Sequence, residues 1–174
     1  NIYRSSDDNF IPTEENLRNW VDDLAEAKVD TFIQEAYSQG WTVYWRCEKF
    51  DYDQRPQHRC FIPLLDAGVQ PLEVLIDQSH KRGMEFMAGF RMNLNHVHIS
   101  TQQGVGGGAS YLTQDSRWMI KEYPPGDDFE INSMLDFTFQ EVRDYICDVA
   151  GEIVRSFDLD GLELCFRESV YFPH

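Results

Sequence analysis

The chain has 174 residues, 42% of them hydrophobic and 14% aromatic, which suits one packed domain and is short for two. Thirty acidic residues against 15 basic ones give a formal net charge of -15, a field that repels phosphate backbones and anionic membranes. Nucleic acid and membrane are therefore not expected partners. No apolar run approaches the ~18 residues of a membrane span, and no leader pattern is visible. A soluble protein is expected, with a secreted or periplasmic location left open. Cysteine usage does not settle the compartment. Cys47 and Cys60 flank a loop and would bridge in an oxidising one, whereas Cys147 and Cys165, with apolar neighbours, read as buried free thiols.

In chain order, the first helix starts at Thr13, an N-cap preceded by Pro12 and followed by the acids Glu14 and Glu15. Leu17, Trp20, Val21, Leu24 and Ala27 recur at helical spacing on one face. Residues 29–35 read as a strand, and WTVYW (41–45) as a second short extended run. A second helix opens with Pro71 at its first position, with Leu72, Leu75, Ile76 and Ser79 turned inward. Lys81 and Arg82 occupy its last turn and Gly83 ends it. Residues 84–93 form the next strand. A glycine-rich, polar stretch, about 94–134, is expected to be a long loop; its QGVGGGAS lacks the lysine and the strand-to-helix context of a phosphate cradle. A third helix runs from about Gln140 to Phe157, striped by Val142, Ile146, Val149, Ile153 and Val154; Asp158, Leu159, Asp160 and Gly161 turn the chain, and the last strand spans Leu162 to Phe166.

Helices alternating with nearly continuous apolar strands predict an α/β fold, a parallel sheet with its helices outside. Strand alternation assigns the faces. Glu85, Met87, Gly89, Arg91 and Asn93 share one face of their strand, and Gly161, Glu163, Cys165 and Arg167 one face of theirs. Phe86, Ala88, Phe90, Met92, Leu162, Leu164 and Phe166 point the other way, toward the helices. The mixed faces carry their polar members toward the C-terminal ends. This is the pattern of a barrel whose interior is filled in layers and whose chemistry sits at the C-terminal rim. On the first strand either Gln34 or Glu35 faces in. Arg91 and Glu163 are expected to pair, because an unpaired carboxylate in such an interior costs several kcal/mol, roughly, or shifts its pKa upward.

At these residues the chain resembles a known group. PLEVLIDQSHKRGMEFMAGFRMN resembles a helix, an HxRGxE turn and a strand ending in an Arg-Met-Asn rim. LDFTFQEVRDYICDVAGEIVRSFDLDGLELCFRE resembles an LDxxxxEVRxY entry, a long helix and a DGLEL strand, and NIYRSSDDNF resembles the end of an earlier strand. The group is the glycoside-hydrolase-like TIM-barrel family of bacteria. The resemblance implies a partial (β/α)8 barrel, from the end of strand one to strand four, in a single incomplete domain over residues 1–174. The rest of the barrel is then expected from the same chain or another. Half a barrel exposes two sheet edges.

The resemblance also implies glycosidic bond hydrolysis by two carboxylates, spaced about 5 Å for retention or roughly 6.5–9.5 Å for inversion. No redox cofactor is implied, and the partner is a carbohydrate substrate. The family's rim position on the fourth strand is usually Asp. Here it is Cys165, and a thiol is a poor base or electrostatic stabiliser. Glu168 and Glu163 are the candidate catalytic residues. Arg91, Asn93, Asn95, Arg167, Glu35 and Trp45 are candidates for binding the sugar, the first three through hydroxyls, while Tyr44, Trp41 and Trp45 offer rings for stacking. Two other readings compete. His96 and His98 would share one side of an extended segment and serve a metal-dependent hydrolase, given a third ligand. Alternatively, the Cys165 departure favours a sugar-binding barrel without turnover.

Overall fold

The computed structural model describes residues 10–38, 42–53, 56–92, 116–118 and 135–166. Its elements are α1 (Glu14–Glu26), β1 (Thr31–Ser38), β2 (Thr42–Val43), α2 (Pro56–Arg59), α3 (Ile62–Asp66), α4 (Pro71–Lys81), β3 (Glu85–Arg91), α5 (Gln140–Ser156) and β4 (Gly161–Cys165). A short 3-10 turn covers Ser116–Trp118.

The helix boundaries follow the local chemistry read from the sequence. Thr13 Oγ1 accepts the Asn16 N–H at 3.2 Å, and Asn16 Oδ1 accepts the Thr13 N–H at 3.0 Å. This reciprocal box satisfies two donors that the helix start leaves free. Pro71 stands in the first turn of α4, and Gly83, just past its end, takes φ +73°, which a side chain would resist. α5 has no side-chain N-cap; instead Arg143 Nη1 donates to the carbonyls of Phe137 and Thr138 at 2.6 and 2.8 Å.

The sheet order is β2-β1-β3-β4. β3 runs parallel to both β1 and β4, with α4 leading into β3 and α5 into β4; β2 is antiparallel to β1. The WTVYW run is thus a two-residue return strand, shorter than expected, and β1 starts at Thr31 and reaches Ser38 rather than ending near Glu35.

The core lies between the sheet and the helices. Phe32, Phe86, Ala88 and Phe90 meet Leu72, Leu75 and Ile76 of α4 and Val142, Tyr145, Ile146, Val149 and Ile153 of α5, all buried. Phe32 stands edge-on to Phe86 and to Trp20, each at 5.2 Å between ring centres. Each such side chain contributes about 1.5–3 kcal/mol on burial. Charged clamps cross the α1–α4 seam, Arg18 to Asp77 at 2.6 Å and Arg82 to Asp22 at 2.7 Å.

Three helical positions depart from the expected stripes. Ala27 caps the end of α1 and is exposed, and Val154 is exposed where Tyr145 is buried instead. Cys147, expected inside, is exposed on α5, and all four cysteines are free thiols, with Cys47 and Cys60 unbridged. Burial pushes the Cys47 and Cys60 thiols above their usual pKa. Residues 1–9, where an earlier strand end was expected, lie outside the described residues, as does most of the loop at about 94–134. Within that loop Trp118 is buried edge-on to Phe139, and its carbonyl accepts the Asp136 N–H at 2.8 Å.

Candidate active site at the C-terminal ends of the strands

Register builds the inner face of the sheet in rows. Thr31 lies beside Glu85, and Ile33 beside Met87 and Gly161. The next row is Glu35, Gly89 and Glu163, and above it Arg91 lies beside Cys165. Glu35 therefore faces inward and Gln34 does not. Two strand spacings separate the Cα atoms of Glu35 and Glu163 by roughly 9.6 Å. Gly89 leaves the gap between them open. A Cβ there would stand 3.4 Å from Glu163 Oε2 and 3.5 Å from Glu35 Cα, so the Glu163 carboxylate leans across the glycine.

Glu35 is held from two directions. The Tyr44 hydroxyl donates to its Oε1 at 3.0 Å, and Arg91 Nη1 stands 3.8 Å from its Oε2. Arg91 had been expected to pair with Glu163. Within the described sheet its ion pair is with Glu35: both glutamates lie one row below Arg91, but Glu163 turns over Gly89 while the Tyr44 hydroxyl holds Glu35 within reach. Both members are shielded without being sealed, with side-chain exposures of 22% for Arg91 and 39% for Glu35.

Tyr44 reaches Glu35 because of an irregularity in β1. The pairing with β3 slips at Ala36, between Glu35 and Tyr37. The carbonyl of Ala36 accepts the Tyr44 N–H at 3.0 Å, and β2 folds the chain back along β1. The Tyr44 ring stacks on buried His58 with centres 3.9 Å apart. Below the excursion, Thr42 Oγ1 donates to Asp53 Oδ2 at 2.6 Å, both residues buried. A cavity of about 30 Å³ beside Glu35, lined by Gln34, Tyr44, Tyr52 and His58 among others, has room for a water or two.

Trp45 corrects a sequence expectation. It is 0% exposed, packs edge-on against Phe157 and donates its Nε1–H to Glu152 at 2.7 Å. A ring with no open face cannot stack on a sugar. Glu35, Arg91 and Glu163 come together; Trp45 does not join them. Asn93, Asn95, Arg167 and Glu168 lie outside the described residues, as do His96 and His98. Among the described residues no three His, Cys, Asp or Glu side chains converge as metal ligands.

Sequence reasoning missed two contributors. Tyr44 was read as a stacking ring, whereas its hydroxyl is the feature that meets Glu35. Asp160 was read as a turn residue. Its Oδ2 accepts the Phe86 N–H at 2.7 Å and meets His80 Nε2 at 2.8 Å, while its own N–H donates to Phe86 O. These bonds, the Phe86 N–H foremost and then His80, hold its carboxyl below the usual carboxylate range. They also set the β3–β4 register that aligns Gly89 with Glu163.

A parallel sheet with outer helices and a polar cluster at its C-terminal rim defines part of a (β/α)8 barrel of the glycoside hydrolase-like class. Residues 3–170 match the family described as glycosyl hydrolase-like 10, and the chain belongs to that family. It is similar to the glycosyl hydrolase DigH of Escherichia coli K12 and of Shigella flexneri, 30% identical over 107 residues in each case. That match covers 56% of this chain and spans only 22% of the length of each relative. The fold resembles the noncanonic maltogenic alpha-amylase AmyB of Thermotoga neapolitana, with a TM-score of 0.52 and 12% identity over 91% of this chain and 36% of that one. It also resembles the alpha-amylase of Geobacillus thermoleovorans, solved with acarbose, with a TM-score of 0.54 and 16% identity over 92% of this chain and 36% of that one. Among the described residues no helix is long and apolar enough to cross a membrane.

Proposed function

We propose that this chain supplies part of the carbohydrate site of a glycoside hydrolase, in which carboxylates at the C-terminal rim of the barrel cleave a glycosidic bond. The observation that carries the reading is the row of Glu35, Gly89 and Glu163, with Arg91 above it, opening onto the inner face of the sheet. Two acceptors and a cationic donor around a bare glycine suit a ligand dense in hydroxyls. Family membership and the acarbose-bound neighbour support the same ligand class.

In this reading Glu168 acts as general acid and Glu163 as the second carboxylate or as its orienting partner. Arg91, Asn93, Asn95, Arg167 and Glu35 bind sugar hydroxyls. Further rim residues come from the remainder of the barrel, supplied by the same protein or by a partner. The test uses the full-length protein and a panel of malto-, cello- and xylo-oligosaccharides. Glu163→Gln and Glu168→Gln, made separately, are expected to lower the rate, at least one of them by about 100-fold or more. Turnover that survives both changes overturns the assignment.

A second reading has a specific observation behind it. Cys165 lies in register with Arg91, at the rim of β4 where a carboxylate would be the natural neighbour of the guanidinium. A sugar-binding barrel without turnover accounts for a thiol there. Glycan binding with no hydrolysis by the wild-type protein, and hydrolysis gained in Cys165→Asp, would favour it.

A further inference from the structure

We propose that Tyr44 is a positioning residue: with Arg91 it fixes the Glu35 carboxylate beside Gly89 and Glu163, making Glu35 an oriented acceptor for a ligand hydroxyl. A glutamate on an open barrel face has three rotatable bonds and, left to itself, samples several rotamers. Here one oxygen is taken by the Tyr44 hydroxyl at 3.0 Å and the other faces Arg91 Nη1 at 3.8 Å. Both donors approach from fixed elements. Arg91 ends β3, and Tyr44 is tied by its own N–H to Ala36 and by its ring to buried His58.

The chain that follows Tyr44 is also tied down. Gln70 brackets the backbone of Arg46, two residues on, accepting its N–H at 3.1 Å and donating to its carbonyl at 2.7 Å. Trp45, next in the chain, is locked into the core by Glu152. The bulge at Ala36 is the device that makes the geometry work. In a regular strand Ala36 would pair with Phe90; the slip places Tyr37 there instead, which frees the Ala36 carbonyl for Tyr44. A charge-assisted hydrogen bond and a nearby cation together leave the carboxylate lone pairs aimed in a set direction. A ligand hydroxyl meeting an acceptor already in place loses less freedom on binding.

For its ligand this rests on the carbohydrate reading; for its geometry it does not. The test is a double-substitution cycle in the full-length protein, with Tyr44→Phe, Glu35→Ala and the pair. It measures affinity for malto-, cello- and xylo-oligosaccharides, melting temperature, and high-resolution crystal structures of the wild type and Tyr44→Phe. Tyr44→Phe keeps the ring on His58, so the melting temperature should move by no more than a few degrees. Affinity should fall about tenfold to hundredfold, the span of one hydrogen bond to a charged group. The double variant should bind no more weakly than Glu35→Ala, which leaves Tyr44 no acceptor to position, because Tyr44 acts through Glu35. The Glu35 carboxylate should leave its wild-type position in the Tyr44→Phe crystal.

Losses that multiply in the double variant, or a carboxylate unmoved by the loss of the hydroxyl, overturn the proposal. Should the wild type bind none of the sugars, the carbohydrate reading falls, and the two crystal structures decide the positioning role alone. A displaced carboxylate then upholds it and an unmoved one ends it.

Discussion

A side chain at position 89 would stand between the two glutamates of the central row, with its Cβ 3.4 Å from Glu163 Oε2 and 3.5 Å from Gln34 O. One methyl group fits with a slight shift of the Glu163 side chain; a branched one does not fit while the carboxylate stays where it is. Gly89→Ala should therefore fold and retain most sugar binding. Gly89→Val, a good strand former, should fold equally well yet lose binding by more than tenfold in calorimetric titration. Trp45 gives the converse case. Trp45→Phe removes the bond to Glu152 and part of the packing, so it should lower the urea midpoint while sugar affinity stays at the wild-type value. A stacking Trp would give the opposite result. Ser79 is fully buried on α4, and its hydroxyl has no hydrogen-bond partner among the described residues. Ser79→Ala should raise stability by about 1 kcal/mol in urea unfolding, since it removes a desolvated polar group and costs no contact of note.

Between elements, carboxylates act as the fasteners. Asp22 accepts from Arg82 and Gln78, which lower its pKa to about 2, the Arg82 bond being the larger cause. Asp77, between Lys81 and Arg18, and Asp160, on the Phe86 N–H and His80, are lowered as well. Each folded-state pKa lies below the ordinary 3.8, so the unfolded chain takes up protons first as the pH drops. The stability these groups contribute is complete above about pH 5 and drains away as the pH falls through the folded values. The gap in urea midpoint between the wild type and Asp22→Asn should accordingly be widest near neutrality and close toward pH 2. A gap that widens on acidification would refute the sign. These side chains are half-buried to exposed and remain open to solvent, so screening keeps the effect small for any one of them. Asp160→Ala should do more than the loss of its charge suggests, because it removes the acceptor of the Phe86 N–H and loosens the β3–β4 junction. The expected sign is faster amide exchange at Phe86, ahead of any change in α1.

Across the molecule, the sheet stops at β4 among the described residues, and the consequences show on both of its faces. Leu164 turns toward the helix layer and is 50% exposed; Ile33, on the inner face, is 48% exposed. In a closed barrel both would be covered, Leu164 by a further helix and Ile33 by the opposite strands. An open edge at β4 beside the exposed Leu164, with Ile33 bare on the inner face two strands away, is a template for association. Residues 1–174 expressed by themselves should associate with rising concentration in light scattering, despite a net charge of -15. Leu164→Lys should push that association to higher concentration. If the isolated chain stays monomeric at all concentrations, the remainder of the barrel is not needed to cover this edge.

The sequence by itself determined what depends on neighbours along the chain. Thr13 with Glu14 and Glu15 starts α1, Pro71 and Gly83 bound α4, and alternation in β3 and β4 puts Arg91 and Glu163 on the inner face, because capping, proline geometry and side-chain period are local properties. The three-fold alternation of helix and strand carried the parallel sheet for the same reason. Only the tertiary structure decided which inner-face groups meet. Pairing register sets Glu35 and Glu163 on either side of Gly89, side-chain direction brings Glu35 and not Glu163 to Arg91, and a one-residue bulge at Ala36 delivers the Tyr44 hydroxyl. Burial likewise turned on what packs from a distance: Glu152, 107 residues away, claims Trp45, and Leu164, on the last strand among the described residues, is left 50% exposed. Periodicity fixes which way a side chain points, but the free energy of its contacts is set by parts of the chain that no local window contains.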